Sequence, residues 1–318
     1  MMKSESYPKE GAIREPGEPL HTGVNLEGTN ILAFGGGGNL SERFLYAAAR
    51  AGASVAIADF LPPEPEAANS IREKVFSIAR TLGSLGPKKF PPVIFGDVRR
   101  NDEIARSIET AKQELGRIDI GIDFAGVHHR PFDLLHDEPE DLDAIFSRVV
   151  DINLRGAFLI TLHLARAMVT NRKGHIIHLC SNGSRLSLYG SYGYNASKHG
   201  LEGLVKTAAA QLAPYGIRVN AIAPGTVETN LTHDLLRDKN NELKPRAKSI
   251  LAHTPSKKFC SRDGIAETLL SMCVEQRHLT GNVLFADDGY NIEGHSWPEG
   301  NQALYAGQSE LDELYKGL

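Results

Sequence analysis

Cysteine is scarce in this chain. Cys180, Cys260 and Cys273 are three in 318 residues, odd in number, far apart and without a Cys-x-x-Cys. Neither a disulfide scaffold nor a cysteine-built zinc site is expected. Aromatic residues make up only 7% of the chain, and tryptophan occurs once, at Trp297. Charge of one sign is missing too: 35 basic residues face 39 acidic ones for a net of −4. That balance offers no electrostatic footprint for nucleic acid or an anionic bilayer. No apolar run approaches the roughly 18 residues needed to span a membrane. The first 20 residues carry prolines and charges where a secretory leader needs an apolar stretch. A soluble, cytoplasmic protein without membrane or nucleic-acid partners is the expectation.

What is present is a regular alternation. Residues 1–27 are rich in Pro, Gly and Glu and read as an irregular arm. From Gly28 onward, short apolar runs at Asn30–Phe34, Ser54–Asp59, Pro92–Gly96, Ile118–Phe124, His175–Cys180, Arg218–Ala223 and Asn282–Ala286 alternate with segments of helical period. The helical segments lie near 40–51, 66–83, 101–115, 140–171, 195–213 and 262–276. Strands that are apolar on both faces and separated by helices predict a parallel sheet covered on both sides. Seven of them predict an α/β, Rossmann-type doubly wound sheet over residues 28–290, with ligands at the carboxyl ends of the strands. Residues 291–318 read as a polar tail.

The first predicted strand runs into Gly35-Gly36-Gly37-Gly38-Asn39-Leu40-Ser41 and then a helix. A glycine-rich turn there lets backbone N–H groups approach a pyrophosphate at the helix N-terminus, although a plain tight turn would look the same. The second strand ends in Asp59, 24 positions after Gly35, followed by Phe60, Leu61, Pro62 and Pro63 rather than a basic residue. A carboxylate so placed accepts hydrogen bonds from the adenosine ribose hydroxyls and repels a 2′-phosphate, which favours NAD over NADP; an ordinary solvated strand-end Asp is the competing reading.

Ser181, Tyr194 and Lys198 share one stretch, and Tyr194-x-x-x-Lys198 puts two side chains on one helix face a turn apart. Asn153 lies on the preceding helix. In this arrangement the chain resembles the short-chain dehydrogenase/reductase family over roughly Gly28 to Tyr290. The resemblance rests on Asn153 within Asp-Ile-Asn-Leu-Arg-Gly, Ser181 thirteen residues before Tyr194, and the Tyr-x-x-x-Lys pair. Also matched are Asp123-Phe124-Ala125-Gly126 after the fourth strand, Asp97-Val98 after the third, and Pro224-Gly225-Thr226-Val227-Glu228-Thr229 after the sixth.

The resemblance implies Asn153, Ser181, Tyr194 and Lys198 as a catalytic tetrad. It further implies a cofactor site from Gly35, Asn39, Leu40, Asp59, Asp97, Val98, Ala125, Gly126, Tyr194, Lys198, Pro224, Gly225, Val227 and Thr229. The implied activity is NAD(H)-dependent interconversion of a secondary alcohol and a ketone on a small-molecule substrate, by a homodimer or homotetramer. A phenol is a poor base at neutral pH unless a neighbouring ammonium favours its anion. Lys198 would supply that charge and hold the nicotinamide ribose, Tyr194 would be the general acid/base, and Ser181 would hydrogen-bond the reacting oxygen. Asn153, in the family's pattern, orients a water that links Lys198 to solvent.

Departures from that pattern set further expectations. Asn39 and Ser41 stand where the family has its second and third glycines, so altered cofactor binding, or a redox-silent nucleotide-binding or regulatory member, is the alternative reading. Asp123-Phe124 in place of Asn-Asn is expected to remove a polar support between strands. His128, His129, Arg130, Asn182, Arg185, Tyr189 and Glu228 fall on loops expected around the nicotinamide. They suggest a polar substrate such as a sugar, polyol or sugar acid, with Arg130 or Arg185 gripping a carboxylate. Adjacent histidines without a carboxylate cluster do not suggest metal. Leu201, Leu204, Val205, Ala208 and Leu212 stripe the Lys198 helix, which in the family packs on a second subunit but could equally face the chain's own core.

Overall fold

The computed structural model describes residues 23–86, 90–274 and 278–292. Residues 1–22 of the arm and 293–318 of the tail, Trp297 included, lie outside the described residues.

Seven parallel strands form the sheet: β1 (Asn30–Phe34), β2 (Ser54–Asp59), β3 (Val93–Phe95), β4 (Ile120–Asp123), β5 (Gly174–Leu179), β6 (Ile217–Pro224) and β7 (Val283–Ala286). Their spatial order is β3-β2-β1-β4-β5-β6-β7, which is the doubly wound Rossmann topology. The order reverses between β1 and β4, whose register pairs Ile31 with Ile120 and Phe34 with Asp123. Beyond the carboxyl ends of these two strands the crossovers diverge and leave a crevice.

Side-chain alternation builds the two core layers. Ile31 and Ala33 of β1, with Val55 and Ile57 of β2, pack with Phe44, Leu45, Ile78, Ile265 and Leu269. These belong to α1 (Asn39–Arg50), α2 (Pro65–Leu85) and α9 (Arg262–Cys273). Leu32, Phe34, Ala56 and Ala58 point the other way, to Ile104, Ile108, Ile160, Leu164, Leu201 and Val205. Those lie on α3 (Asn101–Leu115), α5 (Ala157–Met168) and α6 (Tyr192–Leu212). Each fully buried Ile or Leu contributes about 1.5–3 kcal/mol. The stripe on α6 therefore faces the chain's own core: Leu201, Val205 and Ala208 are buried there, with Leu204 and Leu212 packed against the same cluster.

Three local features differ from the sequence expectation. The segment expected as one helix over 140–171 is α4 (Pro139–Val150), a π-helical turn (Asp151–Gly156) and then α5. α6 begins three residues earlier than its period suggests, which puts Tyr194 in its first turn. Two short helices, α7 (His233–Leu236) and α8 (Pro245–His253), occupy the connection from β6 to α9.

Candidate active site

The nucleotide half is built from the β1 turn. Gly35 has φ +69°, and a Cβ there would stand 2.7 Å from the backbone nitrogen of Ala125, so only glycine allows β1 and β4 to diverge this tightly. No side chain caps the first turn of α1, so its N–H groups remain for an anion. Ser41, which stands where the family has a glycine, fits within the turn: its buried hydroxyl lies 2.9 Å from the carbonyls of both Gly35 and Gly38. Asn39 reaches across the cleft instead, where its Oδ1 accepts from the backbone N–H of Asn230 at 3.1 Å. Leu40 packs against the core.

Asp59 closes the other side of this turn. Its carboxylate accepts from the N–H of Gly37 at 2.6 Å and of Phe60 at 2.7 Å. Burial raises its pKa above the ordinary carboxylate value, and the two N–H bonds oppose that rise. A cavity of about 210 Å³ is lined by Gly35, Asp59, Phe60, Asp97, Val98, Arg99, Ala125 and Gly126 among others. The shape, the uncapped helix and the carboxylate fit the adenosine half of a dinucleotide. Arg99, beside this cavity, is held by Asp97 through three hydrogen bonds of 2.6–3.0 Å and sits over the Phe60 ring.

The four tetrad residues converge at the ends of β4 and β5. Lys198 is only 4% exposed, and its ammonium donates to the carbonyl of Leu179 at 2.7 Å. That ammonium is 5.7 Å from the centre of the Tyr194 ring. A Cβ on Gly126 would lie 3.8 Å from Lys198 Nζ and 3.5 Å from Asn153 Oδ1, so the β4 turn approaches both. Asn153 sits on the π-helical turn, a distortion frequent at functional sites. Its side chain accepts from Val127 N–H at 2.8 Å, donates to Val127 carbonyl at 2.9 Å and reaches Ser197 Oγ at 3.2 Å. Ser181 is extended at the N-terminus of a 3-10 turn; its hydroxyl accepts from Gly183 N–H and donates to Asn182 Oδ1. The segment Pro224–Thr229 follows β6, with Val227 buried and Thr229 hydrogen-bonded to Thr232.

The strand-four departure proves to be a replacement rather than a loss. Asp123 Oδ1 accepts from Ala125 N–H at 3.0 Å, and Oδ2 lies 3.0 Å from Nδ1 of the fully buried His178 on β5. His178 Nε2 in turn is 2.9 Å from Thr161 Oγ1. A carboxylate thus ties β4 to β5 because the neighbouring strand carries a histidine; reading Asp123 without His178 concealed the pair.

On the substrate side, the rings of Tyr194 and His128 are 4.3 Å apart, and His129, Phe132 and Tyr192 continue the stack. Burial pushes the His128 imidazole down to about 4, with His129, Arg246 and Lys198 adding to the effect. It is neutral at physiological pH. Several polar residues expected to face substrate are engaged elsewhere. Arg185 pairs with Glu202 at 3.4 Å and lies over the Phe285 ring. Arg130 pairs with Asp137 at 3.2 Å, and Glu228 pairs with Arg237. Tyr189 is exposed and Asn182 is buried. No group of three or more metal-ligating side chains occurs among the described residues, and none of their helices is long and apolar enough to cross a membrane.

Comparison with known proteins agrees with this geometry. A family model described as enoyl-(acyl carrier protein) reductase matches residues 44–291. The chain is 30% identical over 271 residues to a borneol dehydrogenase of Lavandula x intermedia, covering 84% of this chain and 92% of that one. It is 31% identical over 273 residues to the 3-oxoacyl-[acyl-carrier-protein] reductase of Thermotoga maritima, covering 85% and 100%. A solved short-chain type dehydrogenase/reductase from Mycobacterium marinum superposes with a TM-score of 0.71 at 26% identity, covering 84% and 96%. With the seven-stranded sheet and the converging Asn153, Ser181, Tyr194 and Lys198, these likenesses make the chain a member of the short-chain dehydrogenase/reductase family, oxidoreductases that act on alcohols and ketones.

Proposed function

We propose that this chain is an NAD(H)-dependent oxidoreductase that interconverts a secondary alcohol and a ketone, with Tyr194 as general acid/base. The observation that carries the reading is the buried Lys198 ammonium, 5.7 Å from the centre of the Tyr194 ring and fixed by its hydrogen bond to the Leu179 carbonyl. A nicotinamide, when bound, supplies the hydride acceptor or donor; the remaining roles belong to the chain. Tyr194 Oη gives a proton to the carbonyl oxygen in reduction, or takes one from the hydroxyl in oxidation. Lys198 favours the phenolate that this exchange leaves. Ser181 Oγ, turned from Asn182, hydrogen-bonds the same oxygen. Asn153 holds Val127 and so fixes the loop that follows Gly126.

Cofactor choice rests on Asp59, whose carboxylate suits two ribose hydroxyls and repels a 2′-phosphate. A small polar substrate goes with this reading, and its support is the neutral imidazole of His128 beside Tyr194. The exposed Phe146 of α4 and Phe158 of α5 support a homodimer or homotetramer. The redox-silent alternative loses its motive, because Ser41 and Asn39 both have hydrogen-bonded places around the turn.

The test is Tyr194→Phe. Turnover of a carbonyl panel with NADH should fall by about 10²–10⁴-fold, while NADH binding followed by its fluorescence stays within about twofold of wild type. Unchanged turnover would remove Tyr194 from the chemistry.

A further inference from the structure

Two side chains stand in the β1 turn where the family's pattern has glycine, and they are used differently. Ser41 keeps its hydroxyl within the turn, on the carbonyls of Gly35 and Gly38. Asn39, the first residue of α1, accepts at 3.1 Å from the backbone N–H of Asn230, 191 positions along the chain. The strands that lead to these two residues are not neighbours, since β4 and β5 lie between β1 and β6. At about 4.8 Å per strand their carboxyl ends are roughly 14 Å apart. The segment that leaves β6 at Pro224 has closed this distance by Asn230. It therefore passes the carboxyl ends of β5 and β4, which lead into Ser181 and Gly126. Both walls are anchored. Val227 is 5% exposed and packs in the core layer of α1 and α9, and the Cys260 N–H donates to the Thr226 carbonyl at 2.8 Å. The Thr232 hydroxyl donates to the Val227 carbonyl at 2.6 Å and accepts from the Thr229 N–H at 3.0 Å, which fixes the turn that presents Asn230. On the other side Arg43, one turn along α1 from Asn39, is paired with Asp263 of α9 at 2.6 Å.

A hydrogen bond between two anchored walls closes the space between them. We infer that Asn39 is a clasp: it fastens the segment after β6 to the glycine turn across the nucleotide cleft, so that NAD(H) passes in or out only while this bond is broken. The inference rests on the dinucleotide reading above and adds to it how the cofactor gains access. A glycine at this position has no side chain with which to make the link. Because both partners of the bond belong to the chain, breaking it slows entry and exit alike and leaves the affinity unchanged. A side chain that held the cofactor directly would instead act on the exit rate and the affinity together.

The test compares wild type with Asn39→Ala, which removes the acceptor and keeps a good helix former at the start of α1, and with Asn39→Asp, which keeps an acceptor oxygen. Hydrogen–deuterium exchange of the full chain needs no cofactor. The Asn230 amide should exchange about fivefold faster in Asn39→Ala than in wild type, and within about twofold of wild type in Asn39→Asp. Stopped-flow fluorescence of NADH reads the passage itself. In Asn39→Ala the association and dissociation rates should both rise about fivefold while the Kd stays within about twofold. Unaltered exchange at Asn230, or exchange in Asn39→Asp as fast as in Asn39→Ala, would overturn the clasp. Unchanged NADH rates would overturn the gating, as would faster dissociation with unchanged association, which marks a direct contact with the cofactor. Each of these leaves the oxidoreductase reading standing. Failure of wild type to bind NADH at all would instead bring down the proposed function, and the inference with it.

Discussion

The nucleotide half of the cleft is bounded by main-chain turns at Gly35–Gly37 and Gly96–Val98, with Asp59 hydrogen-bonded to Gly37 and Asp97 to Arg99. On the side of Tyr194 and His128 the charges are held in ion pairs, Arg130 with Asp137 on the loop at 127–137 and Glu228 after β6 with Arg237. Backbone-built sites tolerate side-chain change: Ser41 and Asn39 replace glycines and each finds a hydrogen-bond partner. Side-chain-built sites do not, because each ion pair decides which groups remain for a ligand. Arg185 is withdrawn by Glu202.

The largest effect that would sharpen this contrast is expected at Asp59. Asp59→Asn keeps the shape but removes the charge, and should weaken NADH on the order of 10–100-fold while narrowing or reversing the preference over NADPH; titrations with both cofactors measure it. Tighter NADPH than NADH binding in the wild-type protein would show that the carboxylate does not set the choice.

Next comes acid sensitivity, carried by the substrate half. The native pKa of His128, about 4, lies below the ordinary 6.5, so the unfolded chain binds this proton more readily than the folded one. Stability from this residue is intact above pH 6.5 and is lost as pH falls toward 4, by about 1–2 kcal/mol at pH 5. Urea midpoints at pH 7 and pH 5 should draw closer together in His128→Gln. An unchanged gap would assign the loss elsewhere.

The smallest effect is expected at Arg185. Because Glu202 and the Phe285 ring hold it, Arg185→Ala should change KM for an acidic ketone by less than about twofold. A rise of about tenfold or more would mean that the Glu202 pair opens during turnover and frees the guanidinium for substrate.

The strands were legible because both faces are apolar, and each forms within two residues of its expected bounds. The meeting of Asp59 with the glycine turn and of Lys198 with Tyr194 was within reach of the sequence because turn chemistry and helical spacing are local. Pairings across the sheet were not. Asp123 and His178 are 55 positions apart and meet only through the β4–β5 register. The fates of Arg130, Arg185 and Glu228 were hidden for the same reason, since each depends on a carboxylate or guanidinium whose direction no single stretch fixes. α7 and α8 escaped notice because four and nine residues are too short to display a period.

The π-helical turn at Asp151–Gly156 makes the chain intolerant of a change in length just there. Such a turn holds one residue more than an α-helix needs. The surplus is taken up within the turn, so α5 keeps the phase that presents Leu159, Ile160, Leu164 and Met168 to the sheet. Removing a single residue there would restore regular α geometry with that phase retained, but Asn153 would lose its angle to Val127. A one-codon deletion would therefore spare the core layer and strike Asn153, whereas one in the regular helix that follows would turn the core face by about 100°.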